Sequence, residues 1–165
     1  MNINVFILRI LDPGLQYLAD LGGPPVSPLA RQNLLTIAQQ ETALRARYQN
    51  SPSETPGPAR GWWQFEQGGG VKGVMNHQSS KATAARVLTD LSIVHNTSAV
   101  WRALEGCDLL ATSFARLLLW TDSAPLPTNQ KDGWNCYMRV WRPGKPHPDK
   151  WPGYWSASAN ALAKL

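Results

Sequence analysis

Apolar residues return at helical spacing in one segment after another, and nearly every segment is fenced by Pro or Gly. This punctuation constrains the fold more than any other feature. Ser27-Pro28 is a helix start: an acceptor side chain, then a Pro whose missing N–H costs nothing at the first helical position. From there Leu34, Ile37, Ala38, Glu41, Leu44 and Tyr48 share a face, and Ser51-Pro52 predicts an end near Asn50. Asp12-Pro13 repeats the start signal for a short helix closed by Gly22-Gly23. Ser79 or Ser80 caps a stripe of Ala84, Val87, Leu88, Leu91 and Val94, which continues after a break toward Trp101 and Leu104 until Gly106. Asp108 caps the next helix, with Leu110, Phe114, Leu117 and Leu118 apolar and an end near Asp122. Trp134, Tyr137, Met138 and Trp141 mark another, ended by Pro143-Gly144, and a short helix over Ala157 to Leu165 closes the chain.

One stretch breaks the helical rhythm. Gly61-Trp62-Trp63-Gln64-Phe65-Glu66 and Val71-Lys72-Gly73-Val74-Met75 flank Gly68-Gly69-Gly70, which predicts a β-hairpin. Alternation would set Trp62, Gln64 and Glu66 on one face, with Trp63 and Phe65 on the other, turned to the core. The expected fold is therefore mainly α (α+β): one domain over residues 1–165, helical, with a small hairpin.

Composition removes whole classes of function. At 165 residues, with 43% hydrophobic and 16% charged residues, wholesale disorder is excluded. The apolar run Val5 to Leu8 is broken by Arg9, far short of a membrane span. Met1 to Asn4 carry no basic side chain, so the expectation is a chain made in a cytoplasm without a signal peptide. Cys107 and Cys136 are too few for a disulfide framework and have no metal spacing; free thiols or a single bridge are both open. His77, His95 and His147 form no ligand motif, and His95 reads as a core histidine beside an apolar stripe. No cofactor and no metal are expected. Sixteen Lys and Arg against 11 Asp and Glu give +5, which points to an anionic partner, with a loose basic group at Arg139, Arg142, Lys145 and Lys150. No dense positive stripe runs along a helix, which argues against nucleic acid.

Glu41 is the informative residue. A carboxyl on the apolar stripe of a helix is costly to ionise and tends to keep its proton, as a general acid must. The plainer alternative is a helix-edge Glu paired with Arg45 or Arg60. Around it the chain reads Ile37-Ala38-Gln39-Gln40-Glu41-Thr42 and, some twenty residues on, Ala59-Arg60-Gly61-Trp62-Trp63-Gln64. A helix ending in Glu, a loop, then Gly, two apolar residues and Gln on a hairpin resembles the lysozyme superfamily. The likeness is greatest to lytic transglycosylases and goose-type lysozymes, over roughly residues 29 to 75. A further family element, a helix ending in Tyr-Asn before a turn, is matched in place by Leu119-Trp120-Thr121-Asp122, with Trp for Tyr and Thr for Asn.

The resemblance implies a lysozyme-like domain, its hairpin lining a cleft, that cleaves the β-1,4 bond between N-acetylmuramic acid and N-acetylglucosamine. Glu41 would act as acid and then base in the transglycosylase route, leaving 1,6-anhydromuramic ends. Glu66 would position water if hydrolysis is the route instead, and its alternative is a solvated hairpin Glu. Glu54 is a weaker candidate. Gln64 would bind the sugar or its acetamido group, Trp62 would stack on a pyranose, and Gly61 would join them in binding substrate. Trp120 and Thr121 would wall the cleft, or Trp120 would be core. Tyr137 and its aromatic neighbours would extend the groove or clasp the core. The expected partner is peptidoglycan glycan, bound by a monomer that acts at the cell wall or periplasm after holin release or from a virion. An inactive, glycan-holding virion component is the remaining alternative.

Overall fold

The chain begins in helix. The computed structural model describes residues 1–48 and 57–165, so Glu54 and Asn50 lie outside the described residues. Helix α1 (Ile3–Phe6) is capped by Asn2, whose side chain accepts from the Asn4 N–H. It runs through a wide π-helical turn, Ile7–Leu11, into α2 (Asp12–Asp20). Asp12 is thus no helix cap. The wide turn loosens the backbone ladder just ahead of Pro13, whose ring and missing N–H a regular helix interior would not accept. The Asp12 carboxylate instead takes a two-pronged ion pair from Arg31 at 2.8 and 2.7 Å.

Helix α3 (Pro28–Thr42) starts as its sequence predicts, with the Ser27 hydroxyl accepting from the Ala30 N–H at 3.1 Å. It stops well before Asn50. Ala43 and Leu44 both turn into the left-handed region, at φ 48° and 54°. Leu44 still reaches the core, through this turn and not along a helix, while Tyr48 is exposed.

Strands β1 (Ala59–Arg60) and β2 (Phe65–Glu66) pair antiparallel, Ala59 with Glu66 and Arg60 with Phe65, around the turn Gly61 to Gln64. The hairpin therefore closes earlier than expected, and Val71 to Met75 is no strand. Gln67–Val71 forms a second π-helical turn that leads into α4 (Lys72–Asn76). Val71 and Val74 are both buried, and a spacing of three suits a helix face, where strand alternation would expose one of them.

Helices α5 (Lys81–Asp90) and α6 (Thr97–Ala103) are separate, the second capped by Asn96. Val94 falls in the connection and is 66% exposed, so the expected stripe ends before it. His95 is exposed as well, beside Thr89, and is not a core histidine. Helix α7 (Asp108–Trp120) is the centre of the molecule. Every residue from Leu110 to Leu119 is buried, and α2, α3, α4 and α5 pack around it.

Helix α8 (Gln130–Val140) is capped by Asn129. Helix α9 (Trp151–Leu162) starts six residues before the expected Ala157, because Pro152 serves as a helix-start residue and the Trp151 ring is buried. Helix α9 packs along α3, where a row of amides fastens it: Gln32 Nε2 donates to the Trp155 carbonyl at 2.9 Å and Gln39 Nε2 to the Ser158 hydroxyl at 2.7 Å. Among the described residues no helix is long and apolar enough to cross a membrane. Both cysteines are free, Cys136 buried and Cys107 half-buried.

Candidate active site

Glu41 occupies the penultimate position of α3, half-buried, where the helix ends against the β1–β2 turn. Below it Thr42 fixes the strained exit. Its hydroxyl donates to the Ala38 carbonyl at 2.9 Å and accepts from the Leu44 N–H at 3.2 Å. The Met1 ammonium donates to the Leu44 carbonyl at 2.6 Å and holds the same turn from outside.

The Glu41 carboxyl is pushed up from 4.5 to about 7, and the principal cause is loss of water around it. The Tyr137 hydroxyl donates to Glu41 Oε1 at 2.8 Å and opposes the shift, while the charge of Glu66 reinforces it. An acid poised near neutrality can give a proton to an ether oxygen and take one back. Glu41 has no ion pair among the described residues: Arg60 pairs with Glu105 at 3.1 Å and lies over the Trp101 ring, and Arg45 makes none.

Tyr137 is aimed by a block of stacked rings. It lies 5.3 Å from Trp151 at 21° and 5.5 Å from Trp134, and the Trp151 indole N–H donates to the Gln130 carbonyl at 3.0 Å. Helices α8 and α9 meet closely because residue 133 is Gly; a Cβ there would run into the Trp155 ring. The C-terminal aromatics are thus both the clasp and, through Tyr137, part of the site.

The β-turn supplies the other wall. Gly61 has φ 75°, a conformation that L side chains rarely adopt, and its N–H donates to the Arg47 carbonyl at 2.6 Å. Gln64 is also left-handed, at φ 50°, and its Nε2 donates to the Gly61 carbonyl at 2.9 Å. Its side-chain oxygen has no partner among the described residues.

Two hollows meet at Glu41 and Gln64. One, of about 1190 Å³, is lined by Glu66, Thr121, Tyr137, Trp141 and Arg142. The other, of about 350 Å³, is lined by Arg45, Tyr48, Lys150 and Tyr154. Both share Gln40, Glu41, Gln64 and His147 in their linings.

The structure thus brings Glu41, Gln64, Glu66, Thr121 and Tyr137 to one cleft. Trp62 does not join them: it is 4% exposed, edge-on to Phe6, with its N–H donated to Asp108 at 2.9 Å and Arg47 over its ring. The cause is the tight turn, which removes the strand alternation that would have turned Trp62 outward. Trp63 is buried as expected and donates to the Leu34 carbonyl at 2.9 Å. Trp120 is neither core nor cleft wall. It is 46% exposed and lies outside the cleft, with the Arg116 guanidinium over its ring.

Gln40 was not foreseen. It lines both hollows, its Nε2 donates to the His147 carbonyl at 3.1 Å, and its buried Oε1 has no partner. Its place beside Glu41 in the sequence was the available signal. Among the described residues no cluster of His, Cys, Asp or Glu could hold a metal ion.

Compared with known proteins, the chain matches no family model, no curated protein and no solved structure at a significant level.

Proposed function

We propose that this chain is a peptidoglycan-cleaving muramidase of lysozyme-like fold, acting as a lytic transglycosylase. A single observation carries the reading: a half-dry carboxyl, poised near pH 7 and oriented by one tyrosine, sits where two hollows join. Two hollows that share an acid in their linings suit a linear polymer cut within its length. Glu41 protonates the leaving glycosidic oxygen. In the transglycosylase route the substrate's acetamido group assists at the anomeric carbon. Glu41, now ionised, then takes the proton of the muramic 6-hydroxyl as the anhydro ring closes. Gln64 offers its amide oxygen to a sugar hydroxyl or N–H group.

A hydrolytic route is the second reading, and the placement of Glu66 favours it. Glu66 is exposed on the same cleft and near enough for its charge to raise Glu41. It could position a water for attack.

The test is lysis of purified sacculi. Glu41→Gln should cut the rate on the order of 10²–10⁴-fold while glycan binding survives. Unchanged lysis by that variant overturns the assignment. Glycan binding without lysis by the wild type would favour the inactive, glycan-holding reading. Mass spectrometry separates the two routes, because an anhydro product is one water lighter than a reducing end.

A further inference from the structure

Proton transfer at Glu41 makes no use of the segment that succeeds α8. Trp141 ends that helix, and its indole N–H donates to the Trp63 carbonyl at 3.1 Å. Arg142 then adopts φ 51°, at the position after a helix where glycine is the usual choice. A residue with a Cβ there costs about 1–2 kcal/mol relative to the right-handed form. Pro143, Pro146 and Pro148 stiffen the stretch beyond it, and the His147 carbonyl is held by Gln40, next to Glu41. The segment is thus fixed at one end to the β-turn and at the other to the helix that carries the acid.

Its charges face the cleft. Arg142 and Lys145 are exposed and line the larger hollow, as does Lys72 from α4. The acids on that hollow do not balance them: Asp122 is taken by Arg139 at 2.5 Å, Glu41 keeps its proton up to about pH 7, and Glu66 alone is left against Arg142, Lys145 and Lys72. Among the described residues neither Arg142, Lys145 nor Lys72 has an acidic partner. An uncharged glycan gains little from such cations. A carboxylate gains a matched planar partner from the guanidinium and a point charge from the ammonium.

We infer that Arg142 and Lys145 form a subsite for carboxylates carried on the glycan beside the scissile bond, and so set substrate preference. This rests on the muramidase reading. Those carboxylates have two sources, the peptide stems and the lactyl ether freed when a stem is removed.

The experiment is done in the Glu41→Gln background, so that ligands stay intact, and measures Kd for three probes. They are stem-bearing glycan strands, amidase-stripped strands with free lactyl carboxylates, and neutral chitohexaose. Replacing both cations (R142Q, K145Q) should weaken binding of a carboxylate-bearing strand roughly tenfold and flatten its salt dependence. Chitohexaose binding should not change. Loss on stem-bearing strands alone assigns the subsite to the stem, loss on stripped strands alone assigns it to the lactyl group, and equal loss on both shows that either carboxylate is taken. Arg142→Gly guards against a folding artefact, since it removes the charge while relieving the left-handed strain. It should lose carboxylate affinity as its Tm rises. No loss on either carboxylate-bearing strand, or an equal loss on chitohexaose, overturns the inference. Failure of the wild type to cleave stem-bearing strands overturns the muramidase reading separately, since the binding contrast needs no turnover.

Discussion

At its first turn α3 is capped by the Ser27 hydroxyl, opened by Pro28, and set in extended backbone at φ −144°. At its last turn it carries a proton-holding carboxyl and leaves through two successive left-handed residues, neither of them glycine. The first end satisfies the helix's orphan N–H groups with the side chain best suited to do so. The second end departs from favourable choices three times within four residues. A carboxylate near a helix C-terminus faces unsatisfied carbonyls, and a strained exit stores energy that Leu44 burial must offset. Where a chain concentrates such departures, stability has given way to another requirement. On the proposed reading the requirement is an acid held in the cleft.

The largest expected effect on stability comes from Glu41. Because the folded-state value is raised, the native protein holds a proton that the unfolded chain has already lost between pH 4.5 and about 7. The parent therefore loses stability as pH rises through that window. The rise is worth about 3 kcal/mol once complete. Glu41→Gln keeps an acceptor for Tyr137 but has no proton to lose. It should match the parent below pH 4.5 and exceed it by up to about 3 kcal/mol above pH 7, in urea unfolding at the two pH values. Equal stabilities at pH 8 would show the carboxyl to be solvated and would level the two ends of α3.

Two neighbours should move the alkaline limit of activity in opposite directions. Tyr137 donates to the ionised form, so Tyr137→Phe should shift that limit to higher pH, at a stability cost of about 1 kcal/mol for the lost buried hydrogen bond. Glu66 raises Glu41, so Glu66→Gln should shift the limit to lower pH. A structural role alone for Tyr137 would lower stability and leave the pH profile in place. If Glu66→Gln also collapses turnover on sacculi, the hydrolytic route gains over the transglycosylase route.

The helix start at Ser27 was legible because a cap is a local bargain between a side chain and the next turn. Glu41 stood out for a related reason, a charge on an apolar face. The end of α3 was hidden because Leu44 is buried in either conformation, so the periodic pattern runs on past the turn that ends the helix. Trp62 and Trp120 were misplaced for want of tertiary information. A tight turn at Gly61 buries one, and α7 ends with the other in solvent. Which of several aromatics near the C-terminus would meet Glu41 depends on how α8 and α9 stack, and no local pattern around Tyr137 records that.

The comparison of the two ends is sharpest in a pair of small substitutions. Ser27→Ala removes a cap and should cost about 1 kcal/mol at every pH, with the activity profile unmoved. Ala43→Gly acts at the other end and should have the opposite sign. Glycine at φ 48° escapes the left-handed penalty of about 1–2 kcal/mol, less the about 0.4–1 kcal/mol by which glycine loosens the unfolded chain. The net expectation is a gain between zero and about 1.6 kcal/mol by thermal or urea unfolding. Turnover on sacculi supplies the second half of the measurement. If the strained exit serves only to end the helix, Ala43→Gly gains stability and keeps its rate. If it holds the Glu41 carboxyl at its angle to Tyr137, the same variant gains stability and loses rate, and the alkaline limit drifts as the hydrogen bond loosens. A loss of stability instead would mean that Ala43 is comfortable where it stands, and the contrast between the two ends would rest on the carboxyl alone.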